Sequence, residues 1–201
     1  MSILNAFLEP ERALIGVDTQ FAAQHGSPRQ ISKLMPLIHL NAIVACRGSV
    51  FIATALFAMC QVVGSDFDEL LEAMPGFLEH VSDKAAEIPG RIGVTDKMPF
   101  DGQSVIAVGW SAGRMIGRQF EQENRETGFV AEGFNPHYSA PWDESLPQFP
   151  DLKTREGMGV LARAQARLLR EKCPDVAAGG RFIVAEITRN SMSIAPVCEL
   201  G

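Results

Sequence analysis

The sequence has no C-x-x-C pair, and no histidine stands at zinc-ligand spacing from any of its four cysteines, Cys46, Cys60, Cys173 and Cys198. A zinc ribbon, a zinc finger and a thioredoxin-like redox centre are thereby excluded, and no metal or cofactor is expected. Cys46 and Cys60 fall in apolar runs and read as small buried residues, so nothing demands an oxidising compartment. Positive charge is scarce: 18 Lys and Arg face 24 Asp and Glu, a formal net charge of −6. The densest basic group (Arg163, Arg167, Arg170 and Lys172) is short and sits on one expected helix, which argues against a nucleic-acid partner. The most apolar segment, Val50–Val63, is too short to span a bilayer, and Arg47 lies just before it. Met1–Arg12 lacks a basic stretch followed by an apolar one, so no signal peptide is expected. The expectation is a cytoplasmic protein, or a component of a soluble particle, without a membrane segment.

What is present suits a single domain over residues 1–201. A chain of this length buries roughly 70 % of its unfolded surface and needs no disulfide staple. Strands are expected at Ile3–Leu8, Ala13–Val17, Ser32–Leu37, His39–Cys46, Ser104–Trp110, Met115–Phe120, Phe129–Gly133, Phe182–Ile187 and Met192–Pro196. Pro10-Glu11 should turn the first pair. Thr19–Arg29, Ile88–Gly102 and Asn135–Pro150 read as loops. Ser49–Val63 is too long for a typical strand and reads as a buried helix, stopped by Gly64. Ser65 can cap a second helix that carries Phe67, Leu70, Leu71 and Met74, with a bend or break at Pro75-Gly76. Thr154 can cap a third, from Arg155 to about Lys172. The runs ALIGV, NAIVAC, SVIAVGW and FIVAEI do not alternate, which predicts strands covered on both faces. Strands in runs and helices in runs predict an α+β fold.

Gly109-Trp110-Ser111-Ala112-Gly113 matches the G-x-S-x-G nucleophile elbow. That chemistry needs an acid and then a histidine downstream, because a serine alone is a weak nucleophile. The only later histidine is His137, and no Asp lies between it and Ser111. The pentapeptide therefore reads as a polar turn between two hairpin strands. His25, His39 and His80 are isolated, and His137-Tyr138 reads as part of a solvated loop near Trp142.

Three runs carry a wider pattern. RALIGVDT, from Arg12 to Thr19, is a strand that ends in Asp and a small hydroxyl residue. A second run goes from Ser32-Lys33-Leu34 through IVACRG, ending at Gly48. The third, DVAAGG from Asp175 to Gly180, precedes the strand Phe182–Ile187. In this order, with the elements between them, they resemble the proteasome β-subunit branch of the N-terminal-nucleophile hydrolases over nearly the whole chain. The resemblance implies a four-layer αββα sandwich, with two stacked antiparallel sheets flanked by helices. It also implies that the nucleophile is the residue at the mature N-terminus, whose own α-amine takes the hydroxyl proton. An α-amine suits this because it titrates near pH ~8, closer to neutrality than a lysine.

Carried over residue by residue, the resemblance makes Ser2 the nucleophile, reached by counting back from Asp18 and exposed by loss of Met1. The first expected strand starts at Ile3, so removal of Met1 alone should suffice. Asp18 and Lys33 become the supporting pair, Gly48 supplies the oxyanion N–H, and Asp175 stands in the D-x-x-S-G-G turn. Several positions depart from the family. Ala178 replaces the supporting serine of that turn. Gly133-Phe134-Asn135 replaces Gly-Ser-Gly, the nucleophile is Ser where the branch usually has Thr, and Lys33 is one residue short of the usual spacing from Asp18. Arg47, just before Gly48, would read a substrate carboxylate or plug the pocket. Weighing these losses, the expectation is a catalytically degenerate structural or assembly subunit. The alternative is an N-terminal-serine amide hydrolase or peptidase. The partners implied are further copies in a homo-oligomer or larger assembly, with a peptide or amide as the possible substrate.

Overall fold

The apolar runs do alternate in space, but between two covered faces rather than between core and water. The computed structural model describes residues 2–21, 29–62, 64–86, 102–123, 127–133, 136–146, 151–173 and 178–201. In chain order the strands are β1 (Leu4–Glu9), β2 (Arg12–Asp18), β3 (Gln20–Phe21), β4 (Arg29–Gln30), β5 (Leu34–Leu37), β6 (Ala42–Arg47), β7 (Gln103–Ser111), β8 (Arg114–Gln122), β9 (Val130–Gly133), β10 (His137–Ala140), β11 (Arg181–Thr188) and β12 (Met192–Glu199). The helices are α1 (Val50–Cys60), α2 (Phe67–Ala86) and α3 (Arg155–Lys172). One five-stranded sheet has the order β10-β1-β2-β11-β12, a second β5-β6-β7-β8-β9, and β3-β4 form a two-stranded piece. All pairings are antiparallel. The fold is α+β, as the grouping of elements along the sequence predicts.

Leu4, Ala6, Ala13, Ile15 and Val17 of the first sheet share one buried cluster with Ile43, Ala45, Ile106, Val108 and Met115 of the second. On β6 the intervening Val44 and Cys46 point the other way, into a cluster with Leu56 and Cys60 of α1 and Phe67, Leu70, Met74 and Leu78 of α2. On the first sheet, Phe7, Leu14, Phe182 and Val184 pack against Met158, Leu161, Ala162 and Leu169 of α3. Two glycines let aromatic rings lie flat on the sheets. A Cβ at Gly16 would fall 2.3 Å from Phe182 Cζ, and one at Gly109 2.6 Å from Phe67 Cγ.

A polar knot crosses the apolar packing of α3. Asn5 and Gln165 are fully buried. Asn5 Nδ2 donates to Gln165 Oε1 at 2.8 Å, and Gln165 Nε2 donates to Asn5 Oδ1 at 3.1 Å. Ser139 Oγ donates to Asn5 Oδ1 at 2.8 Å, and Gln165 Nε2 also donates to the Pro141 carbonyl at 2.9 Å. The knot joins α3, β1 and the chain leaving β10, with its amide groups paired as buried amides require.

Four expectations are corrected. Pro75-Gly76 does not interrupt α2, which runs through to Ala86. Both residues lie on the exposed face, while Phe67, Leu70, Met74, Leu78 and Val81 anchor the other face and hold the helix together across the lost hydrogen bond. His39 is not on a strand but in a 3-10 turn, Ile38–Leu40, closed by Asn41 in the left-handed region at φ 45°. His137–Ala140 is not loop but the edge strand β10, paired with β1. Thr19–Arg29 is not wholly loop, since Gln20–Phe21 pairs with Arg29–Gln30. The expected loop at 88–101 lies outside the described residues.

The G-x-S-x-G segment is the turn that its lack of partners implies. Ala112 (φ 48°) and Gly113 (φ 81°) form the tight connection between β7 and β8, both left-handed as a primed hairpin turn requires. Ser111 Oγ donates to Asp68 Oδ2 at 2.6 Å and so ties the hairpin to the start of α2. No helix among the described residues is long and apolar enough to cross a membrane.

Gly109→Ala should lower stability by about 1–3 kcal/mol, the usual cost of overpacking. Ala112→Asn should raise it by up to about 1 kcal/mol by relieving the left-handed strain. Urea unfolding midpoints read both, and a neutral Gly109→Ala would contradict the close contact of Phe67 with β7.

Candidate active site

β2 ends at Asp18, directly opposite the start of the chain. Asp18 is fully buried, and its side chain has two partners. Oδ2 accepts from Lys33 Nζ at 2.7 Å. Oδ1 accepts from the Ile3 N–H at 2.7 Å. One carboxylate therefore spans a buried ammonium and the backbone amide that follows Ser2. Lys33 is 3 % exposed and also donates to the Gln20 carbonyl. Ser2 is itself 3 % exposed.

Lys33 reaches this place although the spacing from Asp18 is short by one residue. Residues 31–33 belong to no strand; they bridge β4 and β5. The Ile31 N–H donates to the Thr19 carbonyl and the Cys46 N–H to the Lys33 carbonyl. This irregular segment absorbs the slip that, inside a regular strand, would turn the side chain to the opposite face.

Gly48 has φ 112°, open to glycine and strained for other residues, and a Cβ there would lie 2.4 Å from Gln103 Oε1. That same oxygen accepts from the Ser49 N–H at 2.8 Å. Ser49 then caps α1 by accepting from the Ile52 N–H. A cleft beside these residues is lined by Ile31, Ser32, Lys33, Cys46, Gly48, Ser49, Val50 and Ala53. Its lining is mixed: Ile31, Cys46, Val50 and Ala53 are apolar, and Ser32, Lys33 and Ser49 are polar.

The electrostatics follow from burial. Desolvation lowers the Lys33 pKa from its ordinary value; Asp18 opposes this shift and the charge on Arg47 adds to it. Burial pushes the Cys46 thiol well up, so it is a neutral wall of the cleft rather than a nucleophile.

Arg47 corrects its expectation. It neither lines the cleft nor plugs it. Residues 43 and 45 of β6 face the first sheet, and Arg47 continues that parity, whereas Cys46 faces the cleft. Arg47 is 8 % exposed, and its Nε donates to the Ser2 carbonyl at 3.1 Å. Ala178 is buried in the cluster beneath α3 and brings no hydroxyl. Asp175, Met1 and Phe134 lie outside the described residues. Thus Ser2, Asp18 and Lys33 meet at one corner of the fold, with Arg47 on the Ser2 carbonyl, and Lys33 and Gly48 line the adjoining cleft, whose lining does not include Ser2. Glu121 went unnoticed in the sequence and Tyr138 was read into a solvated loop; their only signal was the parity of β8 and of a strand not expected to exist. Among the described residues no group of His, Cys, Asp and Glu could hold a metal.

No family model and no curated protein sequence matches the chain. Solved structures match in fold. Anbu, an ancestral beta-subunit, from Yersinia bercovieri has a TM-score of 0.64 at 11% identity, covering 98% of this chain and 87% of that one. Anbu from Hyphomicrobium sp. strain MC1 has a TM-score of 0.62 at 13% identity, covering 97% and 87%. The helical assembly of the Anbu complex from Pseudomonas aeruginosa has a TM-score of 0.61 at 12% identity, covering 96% and 86%. At these identities the likeness is one of fold, and the fold is proteasome-like.

Removing one member of the buried pair strands the other. Lys33→Met or Asp18→Asn should each cost about 3–5 kcal/mol, whereas Lys33→Met with Asp18→Asn should fall within about 1–2 kcal/mol of the starting protein. Denaturant unfolding measures all three, and near-neutral single variants would contradict a dry ion pair. The pH dependence has a definite sign. The folded Lys33 titrates below its unfolded value of 10.5, so between the two the unfolded chain holds more protons. Stability should then rise with pH across that window. Relative to the double variant, the starting protein should gain stability on the alkaline side; a constant difference there would count against the lowered titration.

Proposed function

We propose that the chain is an N-terminal-nucleophile amide hydrolase, with Ser2 as nucleophile once the residue before it is removed. The observation that carries this is the buried Asp18–Lys33 pair, whose carboxylate also takes the amide next to Ser2. A buried ion pair is seldom worth more to stability than well-packed apolar residues of the same volume. A chain that used the fold only for assembly would gain little from an ammonium at this corner.

In the proposed reaction the Ser2 Oγ attacks the carbonyl carbon of an amide, and its proton passes to the Ser2 α-amine. The ammonium of Lys33 keeps that amine neutral at working pH and favours loss of the hydroxyl proton. Asp18 holds Lys33 in place. The tetrahedral oxyanion accepts from the Gly48 N–H. As the intermediate collapses, the C–N bond breaks and the leaving amine takes the proton from the α-amine, leaving an ester on Ser2. Water then gives a proton to the α-amine and attacks the ester carbon. The acid departs and Oγ regains a proton. Asp175, on the resemblance, is an outer support of this site. The substrate, on the resemblance, is a peptide or other amide.

The fold proposed around this site is one domain over 1–201, a four-layer αββα sandwich of the proteasome β-subunit kind, working in an assembly of copies. The character of α1 supports assembly. The helix is apolar on nearly every side, yet Phe51, Ala55 and Met59 are only partly covered, and Val62 beyond it is 85% exposed. The described cysteines are all free thiols, which suits a reducing cytoplasm. One observation favours a second reading, a non-catalytic assembly subunit: the buried methyl of Ala178 stands where the family places a supporting hydroxyl.

Intact-mass measurement after exposure to a peptidyl β-lactone separates the two. The hydrolase reading expects loss of Met1, one acyl adduct on Ser2, and no adduct on Ser2→Ala. A preparation that starts at Ser2 and takes no adduct would leave only the assembly reading.

A further inference from the structure

The Ser2 carbonyl is held by a side chain that the supporting pair does not include. Arg47 Nε donates to it at 3.1 Å in a buried setting, and Nη1 donates to the Gly102 carbonyl at 3.4 Å. Arg47 stands at the end of a cross-strand row. The register puts it opposite Ser104 on β7, and Ser104 opposite Glu121 on β8. Residues directly opposite one another in an antiparallel sheet share a face. Here that face carries Ile43, Ala45, Ile106 and Val108 further along. The inter-sheet core is thus apolar until it reaches Ser2 and polar there. Tyr138 crosses from β10 of the first sheet and donates to Glu121 Oε1 at 2.6 Å, with Ser104 Oγ donating to the same oxygen at 3.4 Å. The charges of Glu121 and Asp18 favour the guanidinium against the cost of its burial.

The peptide unit between Ser2 and Ile3 is planar, and its C=O and N–H point to opposite sides. Arg47 holds the first and Asp18 the second. We propose that Arg47 is a positioning residue, which clamps the Ser2–Ile3 peptide from the side opposite Asp18 and so fixes the direction in which the Ser2 amine and hydroxyl project. This rests on the reading of Ser2 as nucleophile. Asp18 alone leaves the plane free to swing about its one hydrogen bond; the second anchor removes that freedom. Ordinary strand parity would put an apolar residue at position 47, next after Ile43 and Ala45. An arginine in that slot, favoured by the charge of Glu121 and donating to the Ser2 and Gly102 carbonyls, fits a role in orientation better than one in packing.

The test uses protein that starts at Ser2, and compares it with Arg47→Met, Arg47→Lys, and Arg47→Met combined with Glu121→Gln. The double variant removes the facing charge as well, and it carries the comparison should the single methionine not fold. Two readouts are taken: the rate of Ser2 acylation by the peptidyl β-lactone, and the pH titration of the Ser2 α-amine followed by its 13C shifts. Arg47→Met should slow acylation on the order of tenfold to hundredfold, the range expected when a reacting group is misplaced by about an ångström. It should also move the amine titration to higher pH, because a neighbouring cation is lost while Lys33, Asp18, Glu121 and Tyr138 remain. Arg47→Lys should recover part of both. Wild-type acylation rates with an unchanged titration in the methionine variants would overturn the assignment. If the starting protein is itself not acylated, the hydrolase reading fails. The titration then decides alone, a shift supporting the clamp and no shift overturning it.

Discussion

The carboxylate of Asp18 joins three parts of the molecule that are otherwise unrelated in sequence: the start of β1, the end of β2 and the irregular segment before β5. A buried carboxylate must be satisfied on both oxygens or be protonated. Here one oxygen takes the Lys33 ammonium and the other the Ile3 amide. The path of the chain on either side of Lys33 is bent to serve this pairing. Ile31, Ser32 and Cys46 beside it line the cleft.

Most of the sheets was legible because burial on both faces removes the polar half of the strand pattern. Runs such as NAIVAC and FIVAEI have no solvent face to show, and only a central strand of a covered sheet tolerates that. The elements misread are those where tertiary context outweighs local signal. Pro75 reads as a helix stop, but the burial of Phe67, Met74 and Val81 on the other face outweighs the one hydrogen bond it removes. His137–Ala140 has no pattern of its own; it is a strand because β1 offers a free edge there.

The site was legible only in part, and by resemblance rather than by spacing. Asp18 and Lys33 are ordinary residues in ordinary places until the fold brings them to 2.7 Å. The departures from the family were equally legible, and they pulled the functional expectation toward a silent subunit. Ala178 remains the weightiest of them. Arg47 was noticed and misplaced, because its role depends on which face of β6 it occupies, and a sequence run apolar on both faces hides that parity. Glu121 and Tyr138 needed the register of two strands, one of them unforeseen.

The Asn5–Gln165 knot bears on the beginning of the chain. Buried amides that are fully paired resist any slip of the strand that carries them, since a shift by one position would leave several polar groups dry and unmatched. β1 is thereby pinned at Asn5, and everything before it is measured from that pin. Each residue of extended chain advances about 3.3 Å. An insertion or deletion between residues 2 and 5 would displace the chain's first residues by at least that much relative to Asp18. The distance of position 2 from the knot is a fixed length of the fold.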